Sequence, residues 1–396
     1  MANVSSSNGL EKRPKLRFPG FDEPWQSTLL SSVFTKNTKK NTDGQITNVI
    51  CNSAKQGLIP QREYFDKDIA NGDNTSGYYI IEENDFVYNP RKSADAPYGP
   101  ISRYKYAEAG IVSPLYLCFR AKKEINPSFF EWYFRSSAWH RYVYMSGDSG
   151  ARHDRVSIKD DTFFAMPINL PSAHEQEHIA SFLERIDQRI EKQRALVESL
   201  KKYKRGLVKA LISGTVAFAC SENKRWETVR LAEIFTISAG GDIDRQNSSP
   251  TYSTSYPYPV YANALTNNGL YGYANYFKVE GDSITVSGRG EVGHAIARHC
   301  KYVPIVRLLS LVPKYEDDVD FFAYMINATS IYIESTGVPQ LTSPQLGAVK
   351  VFRPPILEQK RISSLLLKID AKIENEERLT FYLEKIRSSM LQQLFI

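Results

Sequence analysis

The chain contains two segments of similar sequence. Residues 171–212 and 354–395 align without a gap at an offset of 183, and 14 of the 42 aligned positions carry the same residue. Such internal repetition indicates a duplicated structural unit, so both copies are expected to fold alike. In the first copy the identical positions are Pro171, Glu175, Gln176, Ile179, Ser181, Leu183, Ile186, Asp187, Ile190, Glu191, Leu196, Leu200, Lys202 and Leu211.

Both copies predict a long helix with a coiled-coil seam. Apolar residues recur at alternating spacings of four and three, and each helix would run roughly 60 Å at 1.5 Å per residue. An amphipathic helix packed on a globular core is the alternative, but such helices are rarely this long. We therefore expect the two helices to pack on each other. The predicted contact residues are Ile179, Leu183, Ile186, Ile190, Leu200, Ile362, Leu366, Ile369, Ile373 and Leu383.

Polar residues occupy the same two seam positions in both copies. They are Gln193 and Lys204 in the first copy, and Glu376 and Arg387 in the second. A polar seam residue can fix the register of paired helices, although it can also simply be exposed.

The segments before the two helices also correspond, more weakly. Asp85-Phe-Val-Tyr aligns with Asp282-Ser-Ile-Thr, and the set Trp25, Leu30 and Phe34 aligns with Trp226, Leu231 and Phe235. Short blocks rich in Tyr, Val and Ile and broken by Gly, Pro, Asn and Asp predict strands. The predicted strands include Tyr78–Ile81, Ile111–Phe119, Tyr302–Val312 and Ala348–Phe352, and shorter helices are predicted at Pro127–Tyr144 and Asp318–Glu334.

These observations predict an α+β chain of five segments. Residues 1–13 form a disordered tail, 14–172 a first domain, 173–213 a central long helix, 214–355 a second domain and 356–396 a distal long helix. An apolar content of 42% allows each domain a core, and the net charge of +6 is compatible with nucleic acid. The four cysteines form no C-x-x-C pair, and neither a signal peptide nor a membrane span is recognisable, so a cytoplasmic location is expected.

The duplicated order resembles the specificity subunits of type I restriction–modification systems, the HsdS family. Leu16-Arg-Phe-Pro-Gly-Phe, Trp25 and the paired Pro-x-x-x-Glu-Gln helix openings at 171–176 and 354–359 carry the resemblance, which covers about residues 14–396. It implies two tandem target-recognition domains of α/β type, each reading half of a split, asymmetric double-stranded DNA site, and two helices pairing as an antiparallel coiled coil. It also implies docking of two methyltransferase subunits, joined by restriction (translocase) subunits for cleavage.

Candidate DNA contacts include basic residues that cluster on predicted loops, after a strand or beside glycine. Arginine can bind guanine through two hydrogen bonds or hold a phosphate, and the sequence does not separate these roles. The candidates are Asn89, Arg91, Lys92, Arg103, Arg152, His153 and Arg155 in the first domain, and Ser287, Arg289 and Gln340 in the second.

Three short motifs suggest chemistry that the repeat does not support. His174-Glu-Gln-Glu-His178 fits the zinc-peptidase pattern H-E-x-x-H, but the second copy keeps the Glu-Gln pair and lacks both histidines. Gly288-Arg-Gly-Glu-Val-Gly293 fits G-x-G-x-x-G, but a strand rather than a helix is predicted to follow. Asn89-Pro90 matches only half of the Asn-Pro-Pro-Tyr motif of amino-methyltransferases.

We therefore expect no catalytic residue, no metal and no cofactor on this chain. S-adenosylmethionine, ATP and Mg²⁺ are expected on partner subunits, and no P-loop occurs here. Three alternatives stay open: a zinc metallopeptidase using His174, Glu175 and His178, a coiled-coil interaction protein without DNA specificity, and a methylation system without a nuclease partner.

Overall fold

A computed structural model of the chain describes residues 13–64, 75–147, 154–212, 226–329, 331 and 340–396. These residues form two compact units. The first comprises the described residues up to Gln193 together with Leu379–Ile396, and the second comprises the described residues of Arg194–Arg378. No helix in these ranges is both long enough and apolar enough to cross a bilayer.

The first unit is built on a four-stranded antiparallel sheet backed by aromatic residues. The sheet has the order β2-β9-β6-β7, and β1-β10, β3-β4 and β5-β8 form two-stranded pairs. The strands are β1 (Gln26–Leu29), β2 (Phe34–Lys36), β3 (Ile50–Ser53), β4 (Gly57–Pro60), β5 (Tyr79–Ile81), β6 (Phe86–Tyr88), β7 (Ile101–Arg103), β8 (Gly110–Val112), β9 (Leu117–Ala121) and β10 (Pro167–Leu170). The helices are α1 (Leu30–Val33), α2 (Gln61–Tyr64), α3 (Pro127–Arg135), α4 (His140–Ser146), α5 (Asp160–Phe164) and α6 (Ala173–Ile212), whose residues 173–193 belong to this unit.

The second unit has a sheet of the same connectivity. Its order is β12-β20-β17-β18, β11 pairs with β21, and a five-stranded sheet follows the order β13-β15-β14-β19-β16. The strands are β11 (Glu227–Arg230), β12 (Phe235–Ala239), β13 (Ser248–Ser249), β14 (Tyr258–Tyr261), β15 (Leu270–Ala274), β16 (Val279–Glu280), β17 (Ser283–Val286), β18 (Ala295–Arg298), β19 (Lys301–Pro304), β20 (Leu309–Pro313) and β21 (Lys350–Arg353). The helices are α7 (Leu231–Ile234), α8 (Val319–Ala328), α9 (Ser343–Gly347) and α10 (Ile356–Gln393), with a 3₁₀ turn at Thr266–Gly269.

Local chemistry explains where the shorter helices begin and end. Asn126 caps α3 by accepting a hydrogen bond from the Phe129 amide at 3.0 Å, and Asp318 caps α8 in the same way. The helix predicted over 127–144 is two helices, because the chain leaves α3 at Ser136, whose hydroxyl donates to the Tyr133 carbonyl at 2.7 Å. The helix predicted from Asp318 ends at Ala328, and positions 330 and 332–334 of that prediction lie outside the described residues.

Two of the predicted strands are each interrupted by a tight turn. The prediction over 111–119 becomes β8 and β9, separated by a turn in which the Tyr116 amide donates to the Ser113 carbonyl. The prediction over 302–312 becomes β19 and β20, separated by a turn closed from the Leu308 amide to the Ile305 carbonyl.

Strand register corrects the sequence alignment of the two domains by one residue. In the first unit Phe86 lies opposite Phe119, whereas in the second Ile284 lies opposite Leu311. Phe34 and Phe235 begin the equivalent edge strands and fix this comparison, so Phe86 corresponds to Ile284. The predicted match of Asp85 with Asp282 is therefore wrong. Both motifs begin with an aspartate, but only the hydrogen-bonding pattern sets the register.

The long helices are confirmed, and their pairing is antiparallel. In the first unit the start of α6 packs with the end of α10, since Ile179 and Leu183 share a core with Leu394 and Phe395. In the second unit the end of α6 packs with the start of α10 around Leu211 and Ile362. Six predicted contact residues are buried and four half-buried: Ile179, Leu183, Ile190, Ile362, Leu366 and Ile373, then Ile186, Leu200, Ile369 and Leu383.

Two of the four polar seam residues form matching ion pairs between the helices. In the second unit the Lys204 ammonium lies 2.5 Å from Asp370, and in the first unit Arg387 pairs with Asp187. Asp187 and Asp370 are equivalent in the repeat, as are Lys204 and Arg387. The two copies thus complement each other, as expected of residues that fix helix register.

The repeated Glu-Gln pair ties each helix start to its own domain. Gln176 donates to the Pro171 carbonyl at 3.0 Å, and Gln359 donates to the Pro354 carbonyl at 2.8 Å. Glu175 accepts two hydrogen bonds from Arg17, at 2.7 and 2.8 Å. The pair is therefore structural in both copies.

Candidate nucleic-acid interface

The basic loop of the first domain follows β6 and meets the segment before α5. The Lys92 amide donates to the Asp154 carbonyl at 2.8 Å, and the Val156 amide donates to the Pro90 carbonyl at 2.9 Å. These bonds place Arg91 and Arg155 opposite each other in a β-bridge.

Three cations lie on this loop and on the segment that it meets. Within the ranges that the structure describes, Arg91, Lys92 and Arg155 make no ion pair, and the Nε atom of Arg155 is buried without a hydrogen-bond partner. Uncompensated guanidinium groups attract phosphates and the acceptor edges of bases.

Two further predicted residues of the first domain have partners inside it. Asn89 accepts a hydrogen bond from the Arg91 amide at 3.1 Å, which shapes the loop. The side chain of Arg103 is only 16% exposed, donates to Asn84 at 2.8 Å and lies 3.7 Å from Glu131. Arg152 and His153 lie outside the described residues.

The corresponding loop of the second domain follows β17. Arg289 donates from Nη2 to Oε1 of Gln340 at 3.0 Å, and the Leu341 amide donates to the Gly288 carbonyl at 2.9 Å. Position 288 has to be glycine, because a Cβ atom there would lie 2.9 Å from the Arg307 carbonyl oxygen and 3.1 Å from that of Leu341.

Ser287 belongs to the support of this loop rather than to its surface. It is buried, its hydroxyl accepts from the His294 amide at 3.0 Å, and it donates to the Glu291 carbonyl. Burial lowers the pKa of His294, which keeps its imidazole neutral near pH 7. The positive charge at this loop therefore comes from arginine.

A groove of about 660 Å³ runs beside Arg289. Its wall includes Arg307, which the sequence analysis missed, and also Asp242 and Gln340. Val306 and Arg307 have φ angles of 52° and 61°, a left-handed conformation that a β-branched residue adopts only under strain. This turn contains neither Gly nor Asn, so the apolar pattern of 302–312 predicted one continuous strand.

The two loops occupy the same position in their domains. Tyr88 and Val286 end equivalent strands, opposite Leu117 and Leu309. Arg91 follows Tyr88 by three residues, and Arg289 follows Val286 by three residues. The Pro90 carbonyl accepts a hydrogen bond from the Val156 amide, and the Gly288 carbonyl accepts one from the Leu341 amide. Arg91–Arg155 and Arg289–Gln340 are thus structurally equivalent pairs.

The zinc-peptidase motif does not form a peptidase site. Glu175 is 1% exposed and its carboxylate forms an ion pair with Arg17. The hydrogen bond from Arg17 to this carboxylate raises the pKa of Arg17. Glu175 is therefore not free to act as a general base. The Nε2 atoms of His174 and His178 lie 3.2 Å apart, and the described residues contain no cluster of three metal-ligating side chains.

The glycine motif at 288–293 is a hairpin loop. It joins β17 to β18, which pair antiparallel, whereas a dinucleotide site requires a helix after the glycines.

Comparisons with known proteins agree with this architecture. The family model described as "Type I restriction modification DNA specificity domain" matches residues 23–201 and 223–385. A type I specificity subunit of Mycoplasma pneumoniae is 25% identical over 246 residues, which cover 62% of this chain and 64% of that protein. A specificity subunit of the MjaX type I restriction enzyme of Methanocaldococcus jannaschii is 27% identical over 260 residues, 61% of each chain. The matched segments thus span somewhat less than two thirds of these relatives.

Solved structures share the whole fold. The S subunit of a type I system from M. genitalium superposes with a TM-score of 0.58 at 16% identity, covering 97% of this chain and 99% of that one. The HsdS subunit of Thermoanaerobacter tengcongensis superposes with a TM-score of 0.53 at 17% identity, covering 96% and 97%. Two matched domains, a shared fold and paired helices place the chain in the type I restriction–modification specificity subunit family.

Proposed function

We propose that the chain reads a bipartite, asymmetric DNA sequence, one half with each domain, and carries no catalytic centre itself. One observation carries the proposal: equivalent backbone positions in the two domains present different side chains, Arg91 with Arg155 and Arg289 with Gln340. A repeated scaffold with unlike reading residues suits two unlike half-sites.

The methylation pattern of the host tests this function. We expect a split motif to be methylated when the gene is present and to lose methylation when it is deleted. An unchanged methylome in a host with intact methyltransferase subunits would instead favour a coiled-coil interaction protein without DNA specificity.

Catalysis is assigned to partner subunits. S-adenosylmethionine would bind to two methyltransferase subunits, and ATP and Mg²⁺ to restriction subunits. The purified chain alone should neither methylate nor cut DNA. Methyl transfer by the lone chain supplied with S-adenosylmethionine would refute this assignment.

The central helix is proposed to set the spacer between the two half-sites. Inserting four residues after Ile212, where α6 ends, would add up to about 6 Å if the insertion is helical. That length equals one or two base steps of about 3.4 Å. The methylated motif should keep both halves and gain spacer. Altered bases in either half, or an unchanged spacer with full activity, would contradict the ruler role.

A groove in the second unit supports docking of a methyltransferase subunit. Its volume is about 1050 Å³, and its apolar lining includes Ile212, Met325 and Val351. Arg205 and Lys209 also line it, and neither makes an ion pair within the described ranges. Charge complementarity therefore points to an acidic segment with apolar anchors on the methyltransferase subunit.

Charge reversal tests this docking surface. Arg205→Glu combined with Lys209→Glu should reduce recovery of the methyltransferase subunit with the tagged chain. Lys202→Glu, a change at an exposed position of α6 that does not line the groove, is the matched control and should leave recovery intact. Equal losses for the two variants, or no loss for either, would place docking elsewhere.

A further inference from the structure

The geometry points to one base-reading unit in the second domain. We propose that Arg289 and Gln340 together bind the acceptor edge of a single guanine in that domain's half-site. The inference rests on the proposed DNA-reading function and deepens it, since it assigns a base type and two residues.

The hydrogen bond within the pair decides which base it can bind. Arg289 donates to Oε1 of Gln340 at 3.0 Å, and this oxygen is the acceptor of the pair's side chains. One lone pair of this oxygen is taken by Arg289, so the pair offers a ligand mostly donors: the other guanidinium N–H groups and the amide NH₂. In the major groove guanine presents two acceptors, N7 and O6. Adenine and cytosine each present an amino donor there, so they match the pair less well.

A carboxylate in the same groove favours a base over a phosphate as the ligand. Asp242 lines the groove together with Arg289 and Arg307. A phosphate entering the groove would be repelled by this carboxylate, whereas a carboxylate can accept from the amino group of the cytosine paired with guanine. Phosphate and guanine offer the same acceptor chemistry to arginine, so the experiment has to distinguish them.

The backbone around the pair is held in place. Gly288 is fixed between two carbonyl groups, as described above. The amides of Val306 and Arg307 donate to the carbonyls of Gly241 and Gly240, both at 2.9 Å. These bonds keep the strained turn in place. A rigid support lets arginine discriminate between bases, because little side-chain entropy remains to be lost on binding.

The equivalent pair in the first domain obeys the same rule. Arg91 and Arg155 are both arginines, so they present only donors. Arg155→Gln would reproduce the second-domain pair in the first domain. The change should therefore affect one base position of the first half-site and leave the second half-site unchanged.

Methylation by the assembled complex, mapped over a library of randomised half-sites, tests the proposal. Arg289→Ala should make one guanine of the second half-site degenerate and lower methylation of the original motif by about 5- to 150-fold. Arg289→Lys should also weaken the preference for that guanine, because an ammonium can still donate to it but lacks the fixed two-pronged geometry. Gln340→Glu, which replaces the amide donor with an acceptor, should weaken the preference at the same base. Arg361→Ala, an exposed change on α10, is the control.

Each other outcome overturns the proposal. If Arg289→Ala lowers methylation equally for all sequences and reduces the salt slope by about one, the contact is to phosphate. If both Arg289 variants keep the original motif and rate, Arg289 does not touch DNA. A wild-type complex that methylates no split motif would instead refute the proposed function, so the two failures are distinguishable.

Discussion

The buried ion pair between Arg17 and Glu175 allows a quantitative test of how the first unit is held together. The two side chains are 13% and 1% exposed, and two hydrogen bonds of 2.7 and 2.8 Å join them. Arg17→Ala would leave a carboxylate buried without its cation. Breaking a buried pair in this way costs about 3–5 kcal/mol of unfolding free energy.

Removing both charges should cost much less. Replacing both Arg17 and Glu175 by Met avoids the unpaired charge, and the pair already bears a cost, since Nη1 of Arg17 is buried without a partner. Buried pairs replaced by hydrophobic residues of similar volume are often neutral in stability. We therefore expect the double variant to lie within about 1 kcal/mol of the wild type.

Hydrogen exchange measured by mass spectrometry can follow both units in the same chain. Arg17→Ala should speed exchange of the most protected amides of the first unit by a hundred-fold or more, since about 1.4 kcal/mol corresponds to a factor of ten. The second unit, in which Trp226 donates to Glu358 at the equivalent position, is the internal control. A loss below about 1 kcal/mol, or a double variant as unstable as the single one, would refute the reasoning.

Three further predictions concern stability and loop geometry. Burial lowers the pKa of His299, but its hydrogen bonds to Asp282 and Asp320 outweigh burial and raise that pKa. The second unit should therefore lose stability as pH rises from about 6.5 through the folded-state pKa. In denaturant titrations His299→Gln should flatten this pH dependence. Phe395→Ala should lower the unfolding free energy of the first unit by about 3–5 kcal/mol, with unchanged exchange in the second unit as the check. Gly288→Ala should weaken methylation of one half-site, because its Cβ would press on two backbone carbonyl oxygens; full activity would contradict the observed packing.

The sequence predicted the loops of the candidate site better than it predicted their geometry. Arg91 was predicted because it follows a predicted strand, and Arg289 because it lies between Gly288 and Gly290. Arg307 was not, since a turn built from Val306 and Arg307 has none of the usual turn residues. Its left-handed backbone is held by hydrogen bonds from residues far away in sequence, which no local pattern reveals.

Arg103 has contacts within its own domain that the sequence could not reveal. A basic residue at the end of a short strand was predicted as a DNA contact, but register places it opposite Phe86, beside Asn84 and Glu131. Its equivalent in the second domain is Ala297, which lies opposite Ile284. A cation that only one domain requires fits a role in the packing of that domain.

Reciprocal contacts explain why the helices, unlike the loops, kept a recognisable repeat. Asp187 of the first copy pairs with Arg387 of the second, and Asp370 of the second pairs with Lys204 of the first. A substitution in either copy therefore removes a contact of the other copy, so both copies have to keep residues that fit the contact between the helices. Among the described residues, Arg289 hydrogen-bonds to Gln340 and lines a groove whose residues all belong to the second unit. The side chains of the loop that carries Arg289 are therefore not tied to the other copy and can change while the backbone register stays, which fits the proposal that the two domains read different half-sites.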